Sequence, residues 1–152
     1  MIPRRTALFL SVGLLLTACG RKPARIAAVP LHPGETPELR ALIEKYAGVH
    51  DIPESLIHRV IQRESGYNAA ARNGPYYGLM QILPQTARGM GYTGTPQGLL
   101  DAETNLIYAG KYLKGAWIVA RGDQAAAVMW YAKGYYYEAK RLGLLRETGL
   151  RA

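Results

Sequence analysis

PESLIHRVIQRESGYNAAARNGPYYGLMQIL, residues 53–83, holds a helix pattern and the one residue that this pattern makes conspicuous. Pro53 suits the first turn of a helix, and Leu56, Ile57, Val60 and Ile61 recur at the spacing that builds one apolar face. Glu64 stands four residues after Val60 and three after Ile61, so it continues that face and points inward. Burial withdraws the water that stabilises a carboxylate's charge. It therefore raises the pKa and keeps the acid protonated nearer neutrality, as a general acid requires. Ser65 and Gly66 then let the chain leave the helix, which puts the carboxyl at a helix exit beside a cleft. The same pattern accommodates a helix-end glutamate that snorkels to solvent or pairs with Arg63 or Arg72.

Downstream, Arg72-Asn73-Gly74-Pro75 is a turn cluster, and residues 78–82, GLMQI, form an apolar segment with a single amide. On pattern alone Gln81 satisfies backbone groups and Met80 is core. Pro84 opens a further helix. The glycine-rich span 89–98 reads as an irregular loop able to rim a cleft. Asp101 caps a helix with an apolar stripe through Leu106, Ala109, Leu113, Trp117 and Ala120. Gly122 and Asp123 end it and start the next, 124–133, so the two pack antiparallel. Tyr135-Tyr136-Tyr137 reads as a half-buried amphipathic face rather than a sugar platform. No strand, repeat or phosphate loop stands out, and the expected fold class is all-α.

Upstream, Thr36-Pro37-Glu38 opens a helix with Leu39, Leu42, Ile43 and Tyr46 on its apolar stripe, closed by Gly48. His50, Glu54 and His58 are spaced by four, a metal-ligand interval on a continuous helix. Pro53 separates His50 from the helix that follows, so neither a metal site nor a cofactor is expected.

Before these elements, Arg4-Arg5, an apolar run over 6–16 and the sequence LTAC at 16–19 have the form of an export signal. The run is shorter than the ~20 residues a spanning helix needs. LTAC resembles the lipobox of bacterial lipoproteins, which implies a signal peptide over 1–18 and lipidation of Cys19. Cys19 is the only cysteine, so no intramolecular disulfide is available. Gly20 follows it in place of an inner-membrane retention aspartate. The expected location is therefore the outer membrane, facing the periplasm, with residues 19–36 as a proline-bearing tether and 37–152 as one folded domain.

Composition agrees with a globular domain: 152 residues, 49% hydrophobic and 20% charged. Eleven tyrosines against one phenylalanine imply half-buried aromatics whose hydroxyls need partners, as in a polar cleft wall. The formal charge is +8; without the leader's Arg4 and Arg5 there remain 17 basic against 11 acidic side chains, a net +6. This favours a polyanionic partner. The basic residues are scattered and match no zinc-finger, RNA-recognition or basic-zipper pattern, so nucleic acid is not the expected partner.

Several blocks occur together in a fixed order: Glu64-Ser65-x-Tyr67-Asn68, then 78–82, then Thr86-Ala87, then Asn105 with Gly110, Tyr112 and Leu113, then Tyr131 with Gly134. In this order the chain resembles the catalytic domain of the soluble lytic transglycosylase family across nearly all of its folded part. The resemblance implies a goose-lysozyme-like helical fold, with peptidoglycan glycan strands as the partner. It also implies cleavage of the bond between N-acetylmuramic acid and N-acetylglucosamine to leave a 1,6-anhydro end. Carried over by position, Glu64 is the general acid and then the base, Tyr131 hydrogen-bonds it or the substrate, and Gln81 and Met80 line the glycan cleft. Asp101, Glu103 and Asp123 are explained by their places at helix starts, so one acid is expected to suffice. Two departures stand out: 73–77 is a residue shorter than the family's usual run, and Tyr131-Ala132-Lys133-Gly134 replaces its Y-N-A-G. Two other functions fit the same scaffold, a hydrolytic muramidase and a non-catalytic peptidoglycan-binding lipoprotein.

Overall fold

The computed structural model describes residues 29–151; the expected signal peptide and Cys19 lie outside them. Among the described residues six α-helices carry the fold: α1 (Pro37–His50), α2 (Glu54–Glu64), α3 (Pro84–Gly89), α4 (Ala102–Val119), α5 (Gln124–Lys133) and α6 (Tyr136–Leu142). A 3-10 helix, Pro96–Leu100, lies in the glycine-rich span before α4. Among the described residues no helix is long and apolar enough to cross a membrane.

The helix starts follow their capping chemistry. Thr36, Asp101 and Asp123 each accept a backbone N–H of the first turn, from Leu39, Thr104 and Ala126. The end of α1 departs from the sequence reading: Gly48 lies inside the helix, which runs on to His50. Asp51 closes it instead in the left-handed conformation, donating its N–H toward the carbonyls of Ala47 and Gly48. Strand pairing also appears where only a turn was expected. Arg72–Asn73 and Tyr76–Tyr77 form a two-residue antiparallel hairpin around Gly74-Pro75, too short to show a period-2 pattern.

Helix α4 is the central post. Leu106, Ala109, Leu113 and Ala116 are fully buried, with α1 and α5 packed along it. The approach of α1 is close because Gly110 has no side chain; a Cβ there would collide with the His50 imidazole. His50 donates from Nε2 to the Leu106 carbonyl at 2.9 Å, and burial lowers its pKa. Its role is to join the two helices. On α2, Leu56, Ile57, Val60 and Ile61 are buried as the periodicity predicts.

The residues just before α1 belong to this packing, although the tether reading extended through Thr36. Glu35 is buried and receives the Arg40 guanidinium on both carboxylate oxygens at 2.6 Å, while the His32 ring stacks on Tyr67 at 5.5 Å. No periodicity announces such a segment, because side-chain pairing rather than helix geometry holds it.

Candidate active site

Glu64 is the last residue of α2, and the chain turns immediately beyond it. Ser65 and Gly66 both donate backbone N–H groups to the Ile61 carbonyl, and Gly66 has a φ of 57°. The Glu64 side chain is only 24% exposed. Burial raises its pKa above the ordinary carboxylate value, and the neighbouring Arg63, 3.5 Å away and mostly exposed, offsets this only in part. The two readings left by the sequence are thus both present, an inward carboxyl and an arginine contact, with desolvation the larger influence.

A cleft of about 230 Å³ is lined by Tyr76, Gln81, Thr86, Tyr112, Tyr131 and Lys133 among others, and its Tyr131 lies within reach of the Glu64 charge. Glu64 itself lies outside that lining. Burial first, and the Glu64 carboxylate second, push the Tyr131 pKa up, so Tyr131 remains a proton donor. It donates to the Met80 carbonyl at 2.8 Å, so in this structure its proton goes to the loop and not to Glu64. Tyr112 stands edge-on to Tyr131, and the buried Tyr135 hydroxyl anchors to the Tyr112 carbonyl at 2.8 Å. Of the tyrosine run only Tyr135 is buried; Tyr136 and Tyr137 are exposed.

The cleft floor is the 77–82 turn. Tyr77 and Ile82 bond to each other through both backbone pairs, and Gln81 holds a φ of 50°, strain of the kind that persists where surroundings over-determine the backbone. Asn105, fully buried on α4, fills the inside of this turn. Its amide nitrogen donates to the carbonyls of Tyr77 and Leu99, and its oxygen accepts from Met80 N–H. Gly78 sits so close that a Cβ would collide with both Asn105 and the Leu99 carbonyl. Gln81 donates to the carbonyls of Ala71 and Gly78, leaving its buried Oε1 without a protein partner. The Met80 side chain is wholly core, so Met80 reaches the site through its backbone carbonyl alone; the side-chain lining expected of it is not what the structure shows.

Among the described residues no carboxylate lines the cleft. Asp101 and Asp123 cap α4 and α5, whereas Glu103 is held by Lys45 at 2.6 Å and by the Tyr46 hydroxyl at 2.9 Å. His32, Glu35 and His58 place potential ligand atoms within 4.8 Å of one another. A cation fits poorly there. Both Glu35 oxygens serve Arg40, and the two His58 nitrogens are engaged by Tyr67 and Glu54 at 2.9 and 3.0 Å. The cluster instead braces the turn after Glu64: burial and the Glu35 charge push Tyr67 up to about 12, and Gly34 abuts the Gly66 carbonyl.

The resemblance puts Glu64, Tyr131, Gln81 and Met80 at one site and gives Asn105 no role. The bracing segment before α1 carries no sequence signal beyond a charged residue ahead of the Thr36-Pro37 cap. The family model described as the transglycosylase SLT domain matches residues 41–144, from within α1 to just past α6.

Proposed function

We propose, from the premise that this chain belongs to the transglycosylase SLT domain family, that it cleaves the N-acetylmuramic acid–N-acetylglucosamine bond of peptidoglycan without water. Its all-α fold is the lysozyme-like one of that family, and peptidoglycan is the family's substrate class. The observation that carries the reading is a single, half-buried carboxyl at the end of α2, with no acid among the described residues that line the nearby cleft.

Ordinary inverting and retaining glycosidases need two carboxylates across the bond. A lone acid can serve both halves of a cyclisation. In its protonated form, which burial favours, Glu64 gives its proton to the leaving glycosidic oxygen as the bond to the muramyl carbon breaks. The resulting carboxylate then takes the proton of that sugar's 6-hydroxyl, whose oxygen closes on the same carbon to give the 1,6-anhydro ring. The substrate's own N-acetyl group supports the positive charge between the two steps. The Tyr131–Met80 bond and the Asn105 plug hold the cleft wall in register while this happens.

Digestion of purified sacculi followed by mass analysis tests this. Anhydro ends are lighter by one water than the reducing ends a hydrolytic muramidase would leave. Glu64→Gln is expected to abolish release while leaving the fold and sacculus binding intact. Because the protonated acid is the donor, kcat/KM should fall as pH rises through the elevated Glu64 pKa. Equal muropeptide release by both proteins would refute the assignment.

The outer-membrane location is part of the same proposal, supported by the lipobox-like LTAC and by Cys19 as the sole thiol. Cys19→Ser should abolish incorporation of labelled palmitate and move the protein from membrane to soluble fractions.

A further inference from the structure

Among the described residues Lys133 is the only charged one in the lining of the cleft. Tyr76, Gln81, Thr86, Tyr112 and Tyr131 supply neutral polar groups, and no described carboxylate in the lining balances the ammonium. Among the described residues Lys133 forms no ion pair, as is also true of Arg59, Arg88 and Lys140, but of these only Lys133 lines the cleft. Its place in the last turn of α5 suits a cation, since the carbonyl end of a helix is negative. That preference accounts for a lysine at the helix end but not for its facing the cleft. Gly134 follows with a φ of 82°, and both residues contribute to the wall beside Tyr131.

Peptidoglycan alternates a neutral sugar with one that bears carboxylates. The muramyl unit presents its lactyl carboxylate where no peptide is attached, and the acidic groups of the stem peptide where one is. We propose that Lys133 reads a carboxylate of the muramyl unit and so sets which sugar the cleft prefers beside Tyr131. The inference rests on the peptidoglycan reading of the site above. It makes Lys133 a specificity-determining residue for the substrate and gives it no part in the bond-breaking steps. Lys133 is exposed, so the pair is a solvent-screened one and its loss should weaken binding roughly two- to fivefold.

Calorimetric titration of the full chain carrying Glu64→Gln, which leaves the ligands uncut, provides the test. Three probes are used: a chitooligosaccharide, a peptide-free N-acetylglucosamine–N-acetylmuramic acid oligomer, and the same oligomer with its stem peptides. Adding Lys133→Ala should weaken binding of a carboxylate-bearing oligomer by that factor and leave the chitooligosaccharide unchanged. Lys133→Arg should restore most of the loss, and the difference should shrink as salt rises. Loss confined to the peptide-free oligomer assigns the lactyl carboxylate, and loss confined to the other assigns the stem peptide. Unchanged affinity for both carboxylate-bearing probes overturns the proposal, as does an equal loss on the neutral sugar. If the folded Glu64→Gln protein binds none of the three, the peptidoglycan reading itself fails, a result distinct from failure of the Lys133 assignment.

Discussion

Replacing Asn105 by alanine should cost this protein far more than an average polar substitution, and the reason lies in what the side chain leaves behind. Its amide bonds the Tyr77 carbonyl at 2.9 Å, the Leu99 carbonyl at 2.8 Å and the Met80 N–H at 2.9 Å, all out of reach of water. Alanine leaves the Met80 N–H and the Leu99 carbonyl buried without this partner, whereas the Tyr77 carbonyl keeps the Ile82 N–H. At about 1–3 kcal/mol per orphaned group, with the carbonyl at the low end, the expected loss is about 2–4 kcal/mol. For a domain of this size that corresponds to a fall in Tm of roughly 8–16 °C. Asn105→Asp restores the acceptor for Met80 but aims a carboxylate at two carbonyl oxygens, so it should be no better at pH 7. Urea unfolding followed by circular dichroism measures both. A loss for Asn105→Ala below about 1 kcal/mol would show that the turn does not depend on this plug. Activity should fall further than unfolding explains, because the Met80 carbonyl that receives Tyr131 shifts with the turn.

Gly78→Ala acts on the same turn from the other side. With a φ of 77° and no room for a Cβ beside Asn105 and the Leu99 carbonyl, it should destabilise by more than about 2 kcal/mol in the same assay. Glu35 has a different signature. The Arg40 guanidinium holds its carboxyl at about 2, below the ordinary 4.5, so the stability it contributes is complete above pH 4.5 and is lost as pH falls toward 2. Glu35→Gln should therefore be less stable at pH 7 and show a flatter acid limb across that window in pH-dependent unfolding; an unchanged limb would contradict the pairing.

The helices were legible because their signals are local. The Thr36, Asp101 and Asp123 caps and the α2 stripe ending at Glu64 each follow from a few adjacent residues and one periodicity. The 77–82 turn was legible only as a motif. That Asn105 fills it depends on residues more than 20 positions apart, a coupling no window along the chain contains. Tyr131 shows the same limit. Its place near Glu64 followed from resemblance, whereas its actual acceptor, the Met80 carbonyl, is a matter of tertiary distance. Gly48 misled because glycine is a common helix stop, and the terminus moved on to Asp51, which could itself adopt the left-handed turn.

The Glu35–Arg40 pair fixes where the minimal autonomous unit starts. A polypeptide trimmed to begin at Pro37 would keep every helix and the whole family-matched span, yet it would strip the carboxylate from Arg40 and the stacked imidazole from Tyr67. Tyr67 is three positions past Glu64, so the damage would surface at the reactive end of α2 and not at the cut. Trimming and fusion boundaries for this protein therefore belong upstream of His32.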